Sequence, residues 1–199
     1  MDFYRLGVDV PPDTLGALEL TSIATGYLAT DRMLKKAPIR ILDAGAYCPG
    51  KFLILFTGDL ASVEEALAIG VDATGTSLFD SILIPNLIPA VVHAINRTVD
   101  IRMKDTIGVL ESFSAVALIK AVNEALKAVE ITVESVNLLN GLGGKAFAVF
   151  TGELSDIQSA LEVGRRLIGD DMFVAASIIP QVSGELLPFL PGRDRHVLG

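Results

Sequence analysis

Residues 50–70, "GKFLILFTGDLASVEEALAIG", return at residues 144–164 as "GKAFAVFTGELSDIQSALEVG". Gly, Lys, Phe, Thr, Gly, Leu, Ala, Leu and Gly recur in register at an offset of 94, and Asp59 is answered by Glu153. Each copy opens with an apolar run that predicts a strand ("KFLILF" in the first). A stretch with Ala and Leu on one face follows, which predicts a helix entered through Gly58-Asp59 and closed by Gly70. Upstream, "TLGALELTSIA" from Thr14 returns as "TIGVLESFSAV" from Thr106, at an offset of 92 (14/106, 16/108, 18/110, 19/111, 22/114). The second copy therefore carries two extra residues between these blocks, since 94 − 92 = 2. Downstream, "ILIPN" (82–86) resembles "SIIPQ" (177–181). A repeat of this length is a duplicated domain, because solenoid units run about 20–50 residues and need several copies.

The rest of each copy completes a single pattern. The alternation in "LGALEL" predicts a strand, and "SIATGYLATDRMLKKA" carries apolar residues at Ile23, Tyr27, Met33 and Leu34, a helical spacing with Thr21 or Ser22 as N-cap. "IRILDA" and "DSILI" read as further strands. The order is β-α-β-β-α-β, the ferredoxin-like α+β arrangement with helices on one face of an antiparallel sheet. The expected organisation is an N-terminal extension (1–13), a first domain (14–96), a linker (97–105), a second domain (106–190) and a C-terminal tail (191–199).

Composition narrows the partners. The hydrophobic fraction is 51% and the mean hydropathy +0.53, high values for a water-facing chain. The most apolar region, "SLFDSILIPNLIPAVVHAI", is interrupted by Asp80, Pro85, Asn86 and Pro89, so it does not read as a membrane span. The N-terminus lacks the basic and apolar regions of a signal peptide, which predicts a cytoplasmic chain. Excess apolar content in small domains points instead to surfaces buried against other subunits. A net charge of −8 with no basic cluster beyond "LKK" (34–36) argues against nucleic acid and anionic membranes as partners.

With these segments in view, the chain resembles the tandem-domain shell proteins of bacterial microcompartments, over nearly all of residues 14–190. "LGALELTSIATGYLATDRMLKKAPIRIL", "PGKFLILFTGDLASVEEALAIG", "IGVLESFSAVALIKAVNEALKAV" and "GGKAFAVFTGELSDIQSALEVG" are similar to that family's signature segments, in order and twice. The resemblance implies a homotrimer of two-domain chains, a pseudohexameric tile with a central pore. Such tiles pack laterally with other shell proteins into a sheet that encloses enzymes. It further implies that the turns ahead of each Gly-Lys, Ala44–Gly50 and Leu138–Gly144, line the pore. The residues so placed are Ala46, Tyr47, Cys48, Pro49 and Gly50 from one copy, and Asn140, Gly141, Leu142, Gly143 and Gly144 from the other. Lys35 and Lys127 match the lysines at tile edges. Where single-domain members carry an arginine after the last strand's proline, this chain has Asn86 and Gln181.

Cys48 is the only cysteine. A lone free cysteine is most often a small buried hydrophobe. Yet "CPGKF" resembles the propanediol-utilisation branch of the family, whose matching cysteine binds an iron–sulfur cluster in the pore. A cluster needs thiolates from about three or four cysteines. One chain supplies one, and a threefold axis supplies three, so the resemblance implies one 4Fe-4S cluster per trimer, relaying electrons to or from an encapsulated redox enzyme. At the offset of 94, Cys48 aligns with Leu142, so thiol and apolar side chains would alternate round the pore.

Other residues carry less. His93 has no nucleophilic or acidic partner near it in sequence, and His196 lies in the polar tail. Glu19 and Glu111 read as duplicated structural or interface groups. Lys51 and Lys145 follow glycines, but neither copy has the G-x-x-x-x-G-K-[ST] of a phosphate loop. No catalytic constellation appears, and the chain does not read as an enzyme. Three functions remain: a tile with a redox cluster at Cys48, a cluster-free tile whose pore conducts metabolites, or a trimeric ferredoxin-like regulatory protein that binds a small ligand between subunits.

Overall fold

A computed structural model describes residues 13–95, 106–139, 141–186 and 189–190. The expected extension up to Pro12, the linker and the tail fall outside the described residues. The first domain runs β1 (Thr14–Leu20), α1 (Ile23–Lys36), β2 (Arg40–Tyr47), β3 (Lys51–Thr57), α2 (Leu60–Thr74) and β4 (Leu78–Pro85). A short helix α3 (Pro89–Ile95) follows, which the sequence reading did not assign. The second domain repeats the order as β5 (Thr106–Ser112), α4 (Ala115–Ala128), β6 (Ile131–Leu138), β7 (Ala146–Gly152), α5 (Leu154–Ile168) and β8 (Phe173–Pro180). The two antiparallel sheets have the same strand order, β2-β3-β1-β4 and β6-β7-β5-β8.

Local chemistry explains the helix starts. Ser22 caps α1 by accepting the Thr25 N–H, and Ser114 caps α4 by accepting the Ala117 N–H at 2.9 Å. Asp59 caps α2, taking the Ser62 N–H at 3.0 Å. Its counterpart Glu153 precedes α5 without a side-chain capping bond. Its extra methylene moves the carboxylate away from the first-turn N–H groups.

Two expectations need correction. First, α2 does not close at Gly70 but continues to Thr74, with Gly75 as C-cap at φ 52°. Gly70 is instead a contact point: a Cβ there would lie 2.4 Å from Leu18 Cδ1 and 2.8 Å from Met33 Sδ. Second, β2 extends through Tyr47, so Ala44–Tyr47 are strand residues and the turn proper begins only there. The helix expected over Ile23–Leu34 is present as α1 with Ser22 as its cap, although its apolar positions do not form one core stripe. Met33 is buried with Gly26 and Ala29, whereas Ile23, Tyr27 and Leu34 are exposed.

The faces of the first sheet separate cleanly. Leu18, Leu20, Phe52, Ile54 and Phe56 pack with Ala29, Met33, Val63 and Ala66 beneath α1 and α2. Leu15, Ala17, Leu53, Leu55, Ile82 and Ile84 belong to a second cluster, shared with α3, α4 and the core of the second domain. All seven residues of β1 are buried, so the alternation of "LGALEL" does not end on a solvated face. The second domain's helix α4 covers what would otherwise be the open face of the first sheet.

Candidate site at the paired turns

Between β2 and β3 the chain reverses through Tyr47-Cys48-Pro49-Gly50, closed by the Gly50 N–H donating to the Tyr47 carbonyl at 2.7 Å. The Cys48–Pro49 peptide is cis, and Gly50 sits at φ 105°, which a side chain would resist. Cys48, Pro49 and Gly50 are all exposed. Free cysteines are among the most buried residues, so a thiol at the tip of a turn departs from the usual placement. Beneath it the Tyr47 hydroxyl donates to the Asp43 carboxylate. Burial pushes the Asp43 carboxyl above the ordinary range, and the Tyr47 bond opposes that rise.

The corresponding turn of the second domain contains Gly141, Gly143 and Gly144 at φ 65°, 61° and 83°. The Lys145 N–H donates to the Leu142 carbonyl at 3.3 Å, and Leu142, the counterpart of Cys48, is half-buried. Asn140 lies outside the described residues. The two turns meet: a Cβ on Gly144 would come within 2.9 Å of Pro49 Cδ. Of the residues expected to line a pore, the structure thus brings Pro49 and Gly144 together, with Cys48 and Gly50 flanking one and Gly143 the other.

Lys51 ties this junction. Its Nζ donates to Glu19 Oε1 at 2.5 Å, to the Phe113 carbonyl at 2.6 Å and to the Gly144 carbonyl at 3.3 Å, and it lies over the Phe79 ring. Glu19 is wholly buried, and its Oε2 accepts the Ala115 N–H at 2.8 Å and the Val116 N–H at 3.4 Å. These are first-turn groups of α4, which have no acceptor within their own helix, at the positive end of its dipole. Burial pushes the Glu19 carboxyl above the ordinary range, opposed by Lys51 and by those two N–H groups. Ser114 Oγ donates to Asp80 beside it. The sequence reading noted Glu19 and Lys51 separately and missed that they pair. The signal was there, because both recur, as Glu111 and Lys145.

The expected edge lysines lie near the ends of α1 and α4, each in a local ion pair: Lys35 with Asp31 at 2.6 Å and Lys127 with Glu124 at 3.0 Å. His93 is exposed on α3. Among the described residues no group of three or more His, Cys, Asp or Glu side chains could hold a metal ion. One chain therefore offers a cluster a single exposed thiolate, and the donor set fits an iron–sulfur group only when several copies contribute. Among the described residues no helix is long and apolar enough to cross a membrane.

Two ferredoxin-like domains in tandem, joined through a turn-to-turn contact, define a class. The BMC domain matches residues 14–87 and again 106–182, and the chain belongs to that family of microcompartment shell proteins, which are structural proteins rather than enzymes. It is 38% identical over 168 residues to the bacterial microcompartment shell protein PduT of Citrobacter freundii, an alignment covering 84% of this chain and 91% of that one. A microcompartment protein of Desulfitobacterium hafniense superposes with a TM-score of 0.76 at 32% identity, covering 87% of this chain and 97% of that one. The fused permuted hexameric shell protein of the RMM microcompartment shares the fold, with a TM-score of 0.60 at 20% identity over 77% of this chain and 80% of that one.

Proposed function

We propose that the chain is a cytoplasmic microcompartment's shell tile, a homotrimer whose domains ring a central opening, and that three Cys48 thiolates hold a 4Fe-4S cluster there. The observation that carries this reading is the exposed thiol of Cys48 at the tip of a turn that touches the second domain's glycine turn. A threefold axis beside these turns would gather three thiolates. It would also set Ala46, Tyr47, Pro49 and Gly50 of each copy round the opening with Gly141, Leu142, Gly143 and Gly144. When bound, the cluster supplies one-electron transfer, suited to exchange with an encapsulated redox enzyme across the shell. The protein's own share is positional: Cys48 ligates, the Tyr47–Gly50 bond holds its turn, and Lys51 fixes that turn against its neighbour. Lys35 and Lys127 would then meet other shell tiles at the rim.

Anaerobic purification, with iron and sulfide assayed per trimer, tests the cluster in wild type and Cys48→Ser. The expected result is about four irons per trimer with broad absorption near about 400 nm, both lost in the variant while the trimer persists. Iron absent even after anaerobic reconstitution leaves a plain tile whose opening passes small molecules.

A further inference from the structure

Between α1 and α2 the first domain has a groove of about 560 Å³, lined by Arg32, Lys35, Lys36, Ala68, Ile69 and Asp72. Lys35 is committed to Asp31 at 2.6 Å. Arg32 and Lys36 have no carboxylate within ion-pair distance among the described residues. Ala68 and the half-buried Ile69 give the lining an apolar part, which the stems of the long cationic side chains extend. A concave, partly apolar surface of this volume with a few placed charges is the form that small-molecule sites take.

The duplicated half lacks this pattern. At the offsets of 92 and 94 the same positions hold Glu124, Lys127, Ala128, Glu162, Val163 and Arg166. Two cations there face two carboxylates, and Lys127 is paired with Glu124 at 3.0 Å. The first groove has three cations and one carboxylate. Leu28, one turn before Arg32, and Val71, beside Ala68, are exposed apolar residues where the second domain has Lys120 and Arg165. The helix α4 already lies on the first sheet, yet Lys120, Lys127 and Ala128 stay exposed. The matching positions of α1 are therefore not ones that packing of this kind uses. A rim contact made through Lys35 and Lys127 alike has no use for charges that only one domain carries.

We propose that the groove between α1 and α2 binds a small organic monocarboxylate, with the carboxylate between Arg32 and Lys36 and the apolar chain along Ala68 and Ile69. The charge count selects this class. Arg32 and Lys36 attract an anion, while Asp72 and the negative end of the α1 dipole, worth about half a charge, oppose it. What remains offsets one negative charge and not two, so a phosphate dianion fits worse than a carboxylate. Arg32 adds the planar fork that grips a carboxylate through two N–H groups. The site is complete within one chain, and it depends neither on the trimer nor on a cluster at Cys48.

Octanoate is the probe, titrated into the full chain while the isoleucine and valine methyl groups are followed by NMR. Saturable binding of about millimolar strength is expected, as about ten heavy atoms allow, with the Ile69 methyl shifting and the Val163 methyl fixed. Arg32→Gln combined with Lys36→Gln should weaken binding about tenfold or more, since charge-assisted hydrogen bonds are lost. Asp72→Asn should tighten it by removing a like charge, and Arg166→Gln in the second domain should leave it level. The methyl spectrum of each variant reports whether it folds. Octyl phosphate above its second pKa and octanol, the same chain with two charges and with none, should both bind more weakly. No saturable shift at Ile69, or octanoate binding that survives the double variant, overturns the site. Octyl phosphate or octanol binding as tightly as octanoate overturns the monocarboxylate assignment.

Discussion

Glu19 accepts from an ammonium and two backbone N–H groups. Truncating it would leave the largely buried Lys51 uncompensated and the start of α4 without an acceptor. Glu19→Ala is therefore expected to cost about 3–5 kcal/mol, read from the denaturant midpoint of the isolated chain. Glu111→Ala, in a pair that remains partly solvated within one chain, should cost under about 1 kcal/mol in the same measurement. Equal losses would show that burial is not what separates the two pairs. Asp59 offers a different reading, because the Ser62 hydroxyl and N–H hold its carboxyl below the ordinary range. A lowered folded value means its stabilisation is complete at neutral pH and fades as pH falls through that value. Asp59→Asn keeps a capping oxygen but loses the charge at the helix N-terminus. Wild type should melt higher at pH 7, and the two curves should converge below about pH 4. A gap that persists into strong acid would assign the effect to something other than this carboxylate.

At the next level up, the two domains reuse the same close approach between helix and sheet. Gly70 lies against Leu18, and its counterpart Gly164 would place a Cβ 2.5 Å from Leu110 Cδ2. Neither glycine ends its helix. Each is absent a side chain because the strand below leaves no room for one. Gly70→Ala is expected to destabilise the first domain by about 1–3 kcal/mol despite the better helix propensity of alanine, measured by thermal or denaturant unfolding. A stabilised variant would mean the helix can shift away from β1. In sequence Gly70 reads as a helix stop, since a glycine after a periodic run usually is one. What distinguishes the two roles is the distance to a neighbouring element, which no local pattern carries. The helices α1 and α4 make the same point. The α1 cap was legible as Thr21 or Ser22, and the structure selects Ser22; what was not legible is that α4 lies on the other domain's sheet while Tyr27 of α1 stays exposed.

Across the whole molecule, the Cys48 turn, the glycine turn and the Glu19–Lys51 grip form one continuous junction between domains, and the iron assay tests its exposed tip. The duplication, the β-α-β-β-α-β order and the family were all written in the chain, because each rests on recurring letters and on periods of two and 3.6 residues that local sterics impose. So was the existence of two Glu–Lys sets. Which set lies inside the chain and which remains on its surface was decided only when α4 settled on the outer face of the first sheet. That choice depends on contacts between residues about ninety positions apart, such as Glu19 with Ala115. Burial belongs to such pairs of distant elements and not to either segment, so identical letters acquire different roles in the two halves.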